Sequence, residues 1–362
     1  MPDRKKKVLF IGSFKSSGKD GTVGGQMYAC RSLVNSELKD FVSWTLVDTT
    51  ASTNLKRPFA IRIYHALTRL VKVLYFLLFK DIEVVMAFCS SGYSFLEKGT
   101  FLRIAKRLNK RTILFPRSGH ILDQIENNEN FKRRVKTIFA SCDHIISQGS
   151  FWRSFFINKF NLSESKVVTI SNWIDINKYN SSKRVVGNPP KILFLGWIEE
   201  NKGVWDILEA VRKLRNEDFI IDIAGNGADF EKLRQAIDNE NLEHKINLLD
   251  WVYGDEKIKL LSDADILVLP SYREGLPNVL LEAMASYTAV VVSNVGAIPD
   301  LIQSGVNGFL INPGDTDSLV KYLKMYLSDN GLILEHSKNA LETIREKNTI
   351  ESVLPKFKKL LK

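Results

Sequence analysis

The chain has 362 residues, 44% of them hydrophobic and 25% charged, which is enough apolar material for two cores and too much length for one ordinary domain. Cys30, Cys89 and Cys142 stand far apart with no C-x-x-C, which argues against a disulfide framework or a cysteine zinc site and fits a reducing cytoplasm. The net charge of +10 is uneven: residues 1–180 hold 29 Lys and Arg against 14 Asp and Glu (+15), and residues 181–362 hold 22 against 27 (−5). A basic half suggests an anionic surface or ligand. No nucleic-acid-binding motif accompanies the charge, so anionic lipid or a pyrophosphate-linked molecule fits better.

In chain order, a basic start (residues 1–7) runs into the apolar residues 8–11, too short for a signal-peptide core and read as a first strand. A Gly- and Ser-rich loop, 12–25, leads to a helical pattern over 26–38, and strand patterns follow at 42–47, 84–88, 112–115 and 144–146. Residues 56–80 contain six Lys and Arg and no acid, with Ile63, Leu67, Leu70, Leu74 and Leu77 on one helical face and Arg62, His65, Arg69 and Lys72 on another. Residues 98–117 add seven more Lys and Arg, again without an acid. Two readings stand: a basic amphipathic helix at an anionic membrane surface, or a core helix with a solvated basic face. No uncharged run approaches the roughly 20 residues a membrane span needs.

A polar stretch at 181–190, ending in Pro189-Pro190, reads as a linker. Beyond it the pattern repeats, with strands at 191–195, 219–224, 246–249 and 266–269 and helices at 204–214 and 229–239. Such alternation predicts parallel sheets with helices on both faces. Residues 351–362 have the spacing of a short amphipathic helix.

The most informative segment is 270–314. Glu274 and Glu282, with seven residues between them, bracket the turn Gly275-Leu276-Pro277-Asn278, which leads from the strand at 266–269 into a helix; Glu282 is expected about two turns inside it. A strand-to-helix loop of this kind aims backbone N–H groups and the positive helix end at an anion. A carboxylate on the following helix can accept hydrogen bonds from sugar hydroxyls. Phosphate and sugar together suggest a nucleotide-sugar site.

At these residues the chain resembles the retaining glycosyltransferases of family 4. The resemblance is carried by Glu274-Gly275, Pro277, Glu282-Ala283-Met284-Ala285, Val290-Val291-Val292, Gly296, Asp300, Asn307-Gly308 and Pro313-Gly314-Asp315. It implies an α/β chain with the GT-B fold, two Rossmann-like domains with parallel sheets facing across a cleft. The domains would be an acceptor domain at 1–180, a donor domain at 181–345, and a last helix at 346–362 packed back on the first. It implies that Glu282 holds the donor ribose and that Glu274 lies near the transferred sugar and phosphates.

Other positions take their roles from the same resemblance. Lys202, in the run Gly196-Trp197-Ile198-Glu199-Glu200-Asn201-Lys202-Gly203, is expected to grip the donor diphosphate. The family's arginine is replaced by Trp197, so either Trp197 packs against the donor or another cation, such as Arg273, compensates. Gly225-Asn226-Gly227 resembles a nucleotide-binding turn, and Tyr253 or Trp251 falls where the base is contacted. Gly24 and Gly25 close the loop expected over the phosphates; His120 is expected to contact the donor sugar, and Arg117 a phosphate or the acceptor. Catalysis is thus assigned to His120, Lys202 and Glu274, with Gly275, Leu276, Pro277 and Asn278 completing the donor site.

The activity implied is retaining sugar transfer from a UDP-, GDP- or ADP-sugar to a glycan or polyprenyl-diphosphate-linked acceptor in bacterial surface polysaccharide synthesis. The resemblance implies metal-independent catalysis, so no cofactor and no metal are expected. The place implied is the cytoplasm, peripheral at the inner face of the membrane. A non-catalytic nucleotide-sugar-binding protein keeps the same motifs. An NAD-dependent oxidoreductase is disfavoured because the first loop lacks G-x-G-x-x-G.

Overall fold

Apolar runs of four to six residues separated by helices can be buried only as parallel strands covered on both faces. The computed structural model describes residues 4–15, 25–50, 59–179 and 185–362 and divides the chain into two compact units, Met1–Asn172 with Ile350–Lys362, and Trp173–Thr349.

In the first unit the order is β1 (Lys6–Gly12), α1 (Gly25–Asn35), β2 (Val42–Asp48), α2 (Phe59–Phe79), β3 (Val84–Cys89), α3 (Gly92–Arg107), β4 (Arg111–Pro116), α4 (Ile121–Asn127), α5 (Glu129–Ser141), β5 (His144–Ser147), α6 (Ser150–Phe160) and β6 (Val167–Thr169). The strands form one parallel sheet in the order β2-β1-β3-β4-β5-β6. Val8 to Ile11 and all of β3 are fully buried, as central strands under two helical layers must be. An aromatic ladder ties the central strands: Phe10 to Phe88 at 4.8 Å and Phe88 to Phe115 at 5.0 Å, both edge-on. The predicted helix over 26–38 ends earlier, at Asn35. Ser36 there accepts from Leu38 N–H and starts a 3-10 turn, Glu37–Asp40.

The second unit runs β7 (Lys191–Leu195), α7 (Val204–Lys213), β8 (Ile220–Ala224), α8 (Phe230–Asn239), β9 (Ile246–Leu249), α9 (Gly254–Asp263), β10 (Ile266–Leu269), α10 (Asn278–Ala285), β11 (Ala289–Ser293), β12 (Phe309–Ile311), α11 (Thr316–Ser328) and α12 (Asn330–Lys347). Its parallel sheet has the order β12-β11-β10-β7-β8-β9. Buried Asp265 accepts from Gly187 N–H and Lys191 N–H, at 3.2 and 2.8 Å, and so pins the end of the polar linker to the entry of β10.

The last helix, α13 (Ile350–Leu361), belongs to the first unit. Its Phe357 is fully buried with its ring 6.4 Å from Phe88, and Lys356 donates to the Thr169 carbonyl of β6. Among the described residues no helix is long and apolar enough to cross a membrane.

Both basic stretches are divided between covered and exposed positions. On α2, the Ile63–Leu77 face is only partly covered: Leu77 is buried, but Ile63 and Leu67 are 43% and 55% exposed, while Val73 is fully buried. Of the basic residues, Arg69 pairs with Glu97 of α3 at 2.7 Å, Arg62 lies 4.4 Å over the Tyr93 ring, and Arg62 and Lys72 stay exposed. Nor is 98–117 a continuous basic surface, because Lys98 is buried against Ser94 Oγ and Lys106 pairs with Asp143.

Candidate functional site

A parallel sheet whose strand order reverses leaves a crevice where the loops from the two neighbouring strands diverge. In the second unit this reversal lies between β10 and β7, and their loops carry Lys202 and Glu274. Lys202 Nζ sits 2.6 Å from Glu274 Oε1, with only 16% and 13% of the two side chains exposed. The backbone joins the same loops, since Tyr272 N–H donates to the Asn201 carbonyl at 2.9 Å. Two buried oxygens in these loops, Asn201 Oδ1 and Ser271 Oγ, have no hydrogen-bond partner among the described residues. Buried polar atoms left in this way mark a place where a ligand or water completes the bonding.

Glu274 is held by its neighbours. Gly296, at φ +58°, lies against the Glu274 and Gly275 carbonyls, and a Cβ there would fall 2.2 Å from the Glu274 oxygen. Ala297 N–H then donates to Gly275 O at 2.8 Å. Gly275 and Leu276 are buried, Pro277 caps the helix without any side-chain cap, and Asn278 is the first residue of α10. Glu282 lies only four residues after that start, little more than one turn in rather than two. Its carboxylate meets Lys257 of α9 at 2.5 Å, a partner that sequence spacing does not reveal because α9 and α10 meet only in the fold.

The loops after β7, β8 and β9 form a second connected wall. Gly225 occupies φ +148°, and a Cβ there would lie 1.8 Å from the Gly196 carbonyl. A Cβ on Gly227 would lie 2.3 Å from that of Ile198. These glycines therefore serve the close approach of two loops to one another. Asn226 Nδ2 donates to Asp250 Oδ1 at 3.0 Å, and Asn226 Oδ1 accepts from Gly227 N–H at 2.7 Å. Trp197, 42% exposed, meets Trp251 edge-on with centroids 4.8 Å apart. Half-buried Tyr253 precedes α9.

The structure thus brings Lys202, Glu274, Gly275, Leu276, Pro277, Asn278 and Glu282 onto the β7–β10 loops and α10, and Gly225, Asn226, Gly227 and Tyr253 onto the adjacent loops. The remaining candidates lie in the first unit. Gly25 is the exposed first residue of α1, and Gly24 is outside the described residues. His120 is exposed just before α4. Half-buried Arg117 lies 4.9 Å over Phe115 and 5.7 Å over Phe88, with its N–H bonded to the Cys89 carbonyl. Buried His336 donates or accepts at the Tyr326 hydroxyl, 2.8 Å away, a structural contact. Among the described residues no three His, Cys, Asp or Glu side chains lie together as metal ligands would.

Two six-stranded parallel sheets with helical layers define the GT-B class of glycosyltransferase folds. The fold is that of HepE from Anabaena, whose complex with UDP-glucose matches at a TM-score of 0.75 over 98% of this chain and 99% of that one, at 17% identity. Residues 175–347 match the family described as Glycosyl transferases group 1. An uncharacterised glycosyltransferase of Methanocaldococcus jannaschii is 33% identical over 207 residues, covering 54% of this chain and 53% of its own. The amylovoran biosynthesis glycosyltransferase AmsK of Erwinia amylovora is 30% identical over 204 residues, covering 54% and 50%. The chain spans about half the length of these curated relatives.

Proposed function

We propose that this chain is a retaining glycosyltransferase that moves a sugar from a nucleotide-sugar donor to a glycan or lipid-linked acceptor in bacterial surface polysaccharide synthesis. The observation that carries the reading is the Lys202–Glu274 pair at the strand-order reversal, on the loop that leads into α10 and Glu282. As the glycosidic bond breaks, negative charge collects on the departing diphosphate while the ring gains oxocarbenium character. A cation and preorganised backbone dipoles aimed at that charge are the largest contribution a protein makes to such a step. Lys202 and the first N–H groups of α10 supply them, Glu282 takes the ribose hydroxyls, and Glu274 orients Lys202. On this reading the donor phosphate helps to deprotonate the acceptor, attack occurs on the departing face, and no metal takes part. A lipid-linked acceptor lies in a membrane, so the reading includes peripheral association with an anionic bilayer surface.

Binding of UDP to HepE and the polysaccharide role of AmsK support the choice of donor and process. Thermal shift across UDP-, GDP- and ADP-sugars identifies the donor. NMR of the product then reads its anomeric configuration, and an inverted product or activity dependent on added manganese refutes the respective part of the reading. Trp197, standing against Trp251 where the family has a cation, favours a second reading: a nucleotide-sugar-binding protein without turnover. Donor-induced stabilisation with neither transfer nor hydrolysis selects it.

A further inference from the structure

α2 is apolar on more sides than its own unit covers. Val73 and Leu77 turn inward, at 0% and 4% exposure, while Tyr64, Leu67, Val71, Tyr75 and Leu78 are between 50% and 66% exposed. These five follow one another at steps of three, four, four and three residues, so they form one continuous ridge on the side opposite Val73. Ile61, Ile63 and Phe79 widen it, and no charged side chain interrupts it. Contiguous exposed apolar surface of this kind marks a face that is covered in use.

Charge decides what covers it. From Lys56 to Lys80 the sequence has no acid, Arg62 and Arg69 are turned toward α3, and Lys72 and Lys80 are exposed at the flanks. A second copy of the chain would bring the same uncompensated cations into a shared interface, which like charges oppose. An anionic lipid surface satisfies ridge and flanks together, and tyrosines suit the boundary between headgroups and acyl chains. α2 is not long and apolar enough to cross a bilayer. We infer that α2 is an in-plane docking helix whose Tyr64–Leu78 ridge, rather than the Ile63–Leu77 face read from periodicity, enters an anionic bilayer. The lipid-linked acceptor comes from the proposed function, but the evidence for docking comes from α2 alone.

The test uses the full chain with vesicles of phosphatidylcholine, alone or with phosphatidylglycerol. Wild type is expected to co-sediment with the anionic vesicles at low salt. Leu67→Ser, Val71→Ser and Leu78→Ser together should weaken binding more than tenfold without shifting thermal unfolding, since all three side chains are exposed. Lys72→Gln should weaken it about fivefold, the value of roughly 1 kcal/mol per cation near such a surface. Since the three native cysteines are buried, a polarity-sensitive dye on Tyr75→Cys labels one site, and its emission should shift to the blue on anionic vesicles. The inference is overturned if wild type stays in solution, if the triple variant binds equally well, or if the ridge instead holds a dimer that the triple variant dissociates. Donor-induced thermal stabilisation, measured on the same variants, should be unchanged; its absence in all of them counts against the donor reading and leaves α2 untouched.

Discussion

Removing Lys202 and Glu274 singly and together measures what their contact contributes to stability and to donor binding. An exposed pair is worth at most about 1 kcal/mol, and stripping one partner from a fully buried pair costs about 3–5 kcal/mol. With 16% and 13% of the side chains exposed, this pair lies between those limits, at about 2 kcal/mol for either single change. For a unit of this size that is a fall of about 4–8 °C in Tm. The double variant Lys202→Ala/Glu274→Ala should lose less than the sum, because neither charge is stranded. Donor binding should split the pair in the opposite way. Lys202→Ala loses a charge-assisted bond to the diphosphate and should weaken UDP binding about ten- to a hundredfold by calorimetry. Glu274→Ala removes a negative charge beside the diphosphate and should leave UDP affinity equal or higher while abolishing transfer. Additive stability losses, or wild-type UDP affinity in Lys202→Ala, would refute the assignment.

Gly225→Ala places a methyl group on the Gly196 carbonyl at a left-handed φ and should cost about 3 kcal/mol or prevent folding, as read by urea unfolding. Burial holds the His336 imidazole below its ordinary 6.5, so its contribution is full above that value and is lost as pH falls from 6.5 toward the lower folded value. His336→Gln should flatten the stability profile in that window; an unchanged slope removes His336 as its source. Phe357→Ala should destabilise the first unit by about 3–5 kcal/mol while leaving UDP-induced stabilisation of the second intact.

The strands of both units are legible in the sequence because each is a short apolar run buried on both faces. Periodicity alone misplaces the outward side of α2, whose helix is apolar nearly all round, so only packing distinguishes the covered side from the bare one. The Glu274–Glu282 segment is readable because loop, turn and helix are contiguous. Lys257 is not readable beside Glu282, nor is Trp251 beside Trp197, because those pairs join residues from different strand–helix units. The Gly225 and Gly227 positions are visible as a turn, but their reason, two loops in mutual contact, is visible only in three dimensions.

That α13 completes the core of the first unit has a consequence for synthesis. Residues 173–349 leave the ribosome between the body of that unit and its last buried helix. At about 5–20 residues per second this interval lasts roughly 9–35 s. Through it the nascent first unit carries an open apolar seat beside Phe88, while the second unit already has all of its own sequence. The first unit can close its core only once residues 350–361 have been made.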